Sequence, residues 1–188
     1  MTAGDTLRSA HSASVGGGIS ARDSILWRPV LTVAKYHGDD LTRDPYEVIE
    51  RAGNLLTTAG LTRITSLIIA GGGQGATNTA SRIGVGNSSA AAAVGQTDLQ
   101  AAAGASNRYF MTMDATYPQV SAGVITFKAT FGTADGNFAW NEWCIDIGTP
   151  TVAAGTTVNA TMLNRAVQSL GTKTSAGTWV ATATITLS

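Results

Sequence analysis

Few residues of this chain combine a type and a spacing that could do chemistry. Cys144 with His37 could form a nucleophile and its base, as could one of the serines, because an acyl-transfer nucleophile needs an adjacent proton acceptor. No Gly-x-Ser-x-Gly elbow is present to present a serine. A lone cysteine on an alternating strand reads instead as a small buried hydrophobe. Asp39, Asp40 and Asp44 could gather calcium, but their spacing departs from the EF-hand loop and no bidentate glutamate closes it, so a solvated turn accounts for them. Gly71-Gly72-Gly73-Gln74-Gly75 and Gly84-Val85-Gly86 invite a phosphate-loop reading. A P-loop, however, ends in Gly-Lys-Ser/Thr, and a dinucleotide fingerprint needs Gly or Ala where this chain has Ser89. These glycines read as a helix stop and a strand-end turn. Trp140 and Trp143, with Phe138, could stack sugar rings; the preferred reading is that they fill a core, since aromatics bury large areas. No catalytic, cofactor-binding or metal-ligating residue is assigned, and the chain is not expected to be an enzyme.

Composition narrows the classes further. The 188 residues are 44% hydrophobic, enough for one domain with a real core. Only 13% are charged, and 12 basic residues balance 12 acidic ones. Nucleic acid and anionic membranes both call for clustered Lys and Arg, so neither is expected as a partner. One cysteine cannot form an internal disulfide, and with only two histidines beside it a structural metal or other cofactor is not expected. No apolar run approaches the roughly 20 residues of a membrane span, and residues 1–18 lack the apolar centre of a signal peptide.

The elements follow from periodicity. Residues 1–24, rich in Ser, Ala and Gly, show neither helical nor strand period and read as an arm. Ile25, Trp27, Leu31 and Val33 then share one parity, the mark of a half-buried strand, while Pro29 demotes that strand to an edge or to a partner subunit's sheet. This divides the chain into an extended N-terminal arm with an edge strand, 1–44, and a globular domain, 45–188. Residues 46–51 are open to two readings: Asp44-Pro45-Tyr46-Glu47 resembles a capped helix start, whereas Val48 and Ile49 favour a strand. A helix capped by Asn54 or Thr58 runs to Ile69, with Leu61, Ile64, Leu67 and Ile68 on one face, and the glycines at 71–73 stop it. Beyond a short strand at 82–85, residues 87–105 read as a surface loop. From Arg108 onward the chain reads as strands. Tyr109, Met111 and Met113 alternate, as do Ile125, Phe127, Ala129 and Phe131, and Trp179 through Leu187. Trp143, Ile145 and Ile147 share a parity that Phe138 and Trp140 do not, which suggests a bulge or a strand covered on both faces. The fold expected is mainly β: a single sandwich or open barrel with one or two short helices and the N-terminal arm. Phe127, Phe131, Trp143, Ile145, Trp179 and Ile185 are its core candidates. Ile25, Trp27, Leu31 and Val33 are its interface candidates.

Several blocks stand together along the chain. They are Gly53-Asn54-Leu55-Leu56, Ile83-Gly84-Val85-Gly86, Met113-Asp114-Ala115-Thr116-Tyr117-Pro118, the stretch from Thr130-Phe131-Gly132-Thr133 to Asn141-Glu142-Trp143, and Leu163-Asn164-Arg165 before Ser169-Leu170-Gly171-Thr172-Lys173. In these blocks residues 53–188, nearly three quarters of the chain, resemble a small family of tailed-bacteriophage virion proteins. The resemblance implies a non-enzymatic structural protein of the virion, made in the host cytoplasm, and carries over no catalytic residue. Arms that clamp neighbouring subunits suit capsid decoration, so the major capsid protein or other virion subunits are the expected partners, with a homo-oligomer. A neutral charge disfavours a DNA-packaging role. The alternative is a tail or baseplate protein that binds a host receptor or glycan.

Overall fold

A computed structural model describes residues 26–148, 151–153, 156–158 and 161–188, with only the backbone of the two short strands between 149 and 160. In chain order the elements are β1 (Trp27–His37), β2 (Glu47–Ala52), β3 (Leu55–Leu56), α1 (Thr58–Ile68), β4 (Ser81–Gly86), β5 (Arg108–Thr112), β6 (Gln119–Ser121), β7 (Val124–Phe131), β8 (Ala139–Ile147), β9 (Thr151–Ala153), β10 (Thr156–Val158), β11 (Thr161–Thr172) and β12 (Gly177–Leu187). They form two five-stranded antiparallel sheets, β2-β1-β12-β7-β6 and β3-β11-β8-β4-β5, with β9 and β10 paired to each other. The sheets face one another without closing, so of the two expected forms the molecule takes the sandwich. Residues 46–51, open to either reading, are strand: β2 runs antiparallel to β1 from Val30 opposite Ala52 to Lys35 opposite Glu47.

The core lies between the sheets, where period-two residues of both layers meet. Phe127, Phe131, Trp143, Ile145, Trp179 and Ile185 are all buried in it. One end of this core is aromatic. Phe131 meets Trp140 edge-on with centroids 4.6 Å apart, Trp140 meets Trp179 at 4.8 Å, and the Lys35 ammonium lies 4.3 Å from the Trp179 ring centroid. The opposite end is aliphatic, built from Ile125, Ile147, Leu163 and Ile185 with Ile64 of α1 against them. Trp140 and Trp143 both reach the core despite opposite parity. Register shifts between Val167 and Gly171, opposite Trp140 and Glu142, which lets β8 change faces there.

The N-terminal strand requires a correction. β1 is an interior strand between β2 and β12, and Leu31 and Val33 are fully buried in the core of their own chain. Pro29 does not force an edge, because its missing donor falls where no partner is needed. The Gly53 N–H donates to the Pro29 carbonyl at 2.9 Å, so the proline nitrogen faces the same side, just past the end of β2 at Ala52. The globular domain therefore takes in β1 rather than starting at residue 45. Residues 1–25, including the arm and Ile25, lie outside the described residues.

The helix forms as its sequence predicts, with a different cap and a different face. Thr57 is the N-cap, its hydroxyl accepting from the Gly60 N–H at 2.9 Å and donating to the Met162 carbonyl at 2.6 Å. Gly60 is the buried point of contact: a Cβ there would collide with the Leu163 backbone. Because a glycine sets that contact, α1 sits close against β11 on a narrow line. Ile64 packs inward, while Leu61, Leu67, Ile68 and Ile69 remain exposed.

Candidate functional site

The sequence blocks singled out above supply polar clamps that hold loops to the sandwich. On the outer face of the second sheet, Glu142 and Arg165 are both fully buried, with the guanidinium Nε 2.6 Å from the carboxylate. Each has further work. Glu142 accepts the backbone N–H groups of Gln100 and Ala101, and Arg165 donates to the Gln96 side chain and the Ala90 carbonyl. The pair thereby anchors the long loop after β4, which would otherwise leave its backbone groups unsatisfied. Gly84 and Gly86 belong to the same device. A Cβ on Gly84 would meet the Phe110 ring and the Cys144 sulfur, and one on Gly86 would meet the Glu142 carboxylate. Leu99, Phe110, Cys144 and Met162 close a small second core under this loop.

Other blocks act similarly. The Asp114 carboxylate accepts the Thr130 N–H and hydroxyl, each at 2.9 Å, while Asn78 donates to the Asp114 and Tyr117 carbonyls around the cis Tyr117–Pro118 peptide. Lys173, 1% exposed, donates to the Gly132 carbonyl at 2.6 Å and to Asn137 at 3.0 Å, and burial lowers its pKa. The Tyr109 hydroxyl donates to Asp135 at 2.7 Å, and burial, helped by that carboxylate, pushes its pKa up to about 12. In the first block, Asn54 accepts from the Trp27 indole N–H at 2.8 Å. Gly53, at φ +82°, turns the chain from β2 toward β3, and so from one sheet to the other.

The groups weighed for chemistry do not assemble. Cys144 is buried on the outer face of the second sheet, and burial, reinforced by the nearby carboxylates, raises its thiol pKa well above the ordinary value, opposite to what a nucleophile needs. His37 is exposed at the far end of β1 in the other sheet, its ring stacked on Tyr46 at 4.4 Å. The aspartates serve a turn and its neighbours: Asp40 accepts from the Thr42 N–H and hydroxyl, and Asp39 accepts from Thr178. Among the described residues, no group of three or more His, Cys, Asp or Glu is placed to hold a metal, and no helix is long and apolar enough to cross a membrane. Phe138, Trp140 and Trp143 are buried, so they form no exposed sugar platform. Asp146, opposite Arg82 on β4, is buried with one carboxylate oxygen lacking a partner, and burial raises its pKa to about 7.

One surface feature is unlike the rest. At the aliphatic end a cleft of about 340 Å³ opens between α1 and the sandwich, with Trp27, Ile125 and Leu187 along one side and Ile64, Leu67 and Ile68 along the other. Of the four interface candidates, Trp27 alone lines this cleft; Leu31 and Val33 are core, and Ile25 is not described. The sequence puts Leu61, Ile64, Leu67 and Ile68 on one helix face, yet of these Ile64 alone packs against the core and the others are exposed. The signal available was the run Leu67-Ile68-Ile69, which spreads apolar residues over more of the helix surface than one sheet edge can cover.

No family model matches the chain, and neither a curated protein nor a solved structure was found to be similar to it.

Proposed function

We propose that the chain is a non-enzymatic structural subunit of a tailed-bacteriophage particle that decorates or cements the capsid shell through subunit contacts. The observation that carries the reading is the use to which the charged residues of these blocks are put. Glu142, Arg165, Asp114 and Lys173 are spent on holding loops to a two-layer scaffold, not on a shared reactive centre. A rigid sandwich with clamped loops suits a subunit that must keep its shape while its rim engages neighbours. The exposed apolar face of α1 and the cleft beside it give such a rim. Phe138, Trp140 and Trp143 are buried, so they offer no exposed aromatic platform to a glycan.

The test is reconstitution. Purified chain added to phage particles that lack it should bind them and raise the temperature at which they release DNA. Particles that neither bind the chain nor gain heat resistance would contradict the reading.

A further inference from the structure

The aliphatic end of the sandwich brings the start of β1, the end of β12 and the apolar cleft onto one rim. Among the described residues of the cleft lining Arg63 alone is charged, and its guanidinium is already engaged, donating to the Gln74 carbonyl at 2.8 Å and the Thr161 hydroxyl at 2.7 Å. The walls therefore offer aliphatic contact rather than a seat for an anion. Ile68 at the mouth is 77% exposed and Leu67 41%, apolar area that water wets unless something covers it.

The covering segment is indicated by where the chain goes. Leu26 and Ser188 exchange backbone hydrogen bonds, at 2.7 and 3.3 Å, which extends the β1–β12 ladder one step beyond Trp27 opposite Leu187. Leu26 therefore still belongs to the ladder, next to Trp27 and opposite the strand end that carries Leu187, two residues of the cleft lining. Residues 20–24 hold no glycine or proline that would favour an immediate reversal. Residues 1–25 reach roughly 80 Å when extended, more than twice the length of β1. Their few apolar residues nearest the domain, Val15, Ile19 and Ile25, are too sparse for a core, yet in an extended chain all three turn to one side. The segment is also neutral, with Asp5 and Asp23 against Arg8 and Arg22, so its entry strands no uncompensated net charge.

We infer that residues 15–25 of one copy dock in the cleft beside α1 of a second copy, linking identical chains head to tail. The contact is heterologous, so it generates a ring or an open row according to the angle between copies. It stands apart from the shell reading, because its test needs the purified chain alone.

The experiment mixes two full-length single variants, Ile68→Cys and, in turn, Val15→Cys, Ile19→Cys or Ile25→Cys, one carrying a size tag, with a short bismaleimide cross-linker that tolerates small register errors. Buried Cys144 does not compete. At least one pair should give a mixed cross-linked dimer well above the two symmetric dimers, the same arm variant should also cross-link to a cleft chain carrying Leu187→Cys, and adding Ile68→Asp or Leu67→Asp to that chain should abolish this second product with the melting temperature unchanged. Cross-linking confined to a single chain in the matching double variants would overturn the inference in favour of folding back. Absence of any arm-to-cleft product, or a wild-type chain that sediments as a monomer at every concentration, would overturn it outright.

Discussion

At the scale of single residues, the charges buried on the outer face of the second sheet govern the response to pH and to substitution. Asp146 ionises in water near 3.8 but near 7 in the fold, chiefly through burial, with Arg82 opposing the shift. The folded chain therefore holds a proton that the unfolded chain has released between those values, and stability falls as pH rises through that window. Asp146→Asn, which imitates the protonated acid, should melt higher than wild type at pH 8, with the gap closing toward pH 4; an equal gap at both would contradict the assignment. The Glu142–Arg165 pair behaves differently, because each group is satisfied by the other and by the loop. Removing one partner leaves a charge uncompensated inside the protein, so Arg165→Met alone should cost about 3–5 kcal/mol in denaturant unfolding. Arg165→Met with Glu142→Leu should recover part of that loss, and a purely additive double variant would show that the two do not act as a unit.

At the scale of elements, α1 and β1 carry the sharpest expectations. Alanine favours a helix over glycine by about 1 kcal/mol, yet Gly60→Ala should destabilise by about 1–3 kcal/mol, because its Cβ has nowhere to go against the Leu163 backbone. Ile68→Asp, on the exposed side of the same helix, should leave the unfolding midpoint within error. If Gly60→Ala proves neutral, α1 does not pack as closely as described. For β1, deleting residues 1–24 should leave a folded domain, whereas deletion through His37 removes an interior strand of the first sheet along with Leu31 and Val33 and should abolish cooperative melting. These elements also mark how far the sequence could be read. Phe127 to Phe131 and Trp179 to Ile185 announce themselves through strict alternation, since strands with one face inward must alternate. β1 alternates as clearly, but its position in the sheet was hidden: whether Pro29 needs a hydrogen-bond donor depends on where β2 ends, which is a fact of tertiary structure. Glu142 and Arg165 were illegible for a related reason. A charge on a strand reads as solvent-facing until the loop that covers it is placed.

At the scale of the molecule, a sandwich whose loops are held by buried polar contacts presents, among the described residues, an apolar rim beside the start of β1. In the proposed function that rim serves assembly and the sandwich supplies rigidity. A receptor-binding tail protein would share the rigidity but not the stoichiometry, since a shell offers repeated sites and a tail tip few. Quantitative mass spectrometry of purified particles, with the chain counted against the major capsid protein, tests this most directly. The account predicts hundreds of copies per particle, whereas a dozen or fewer would contradict it.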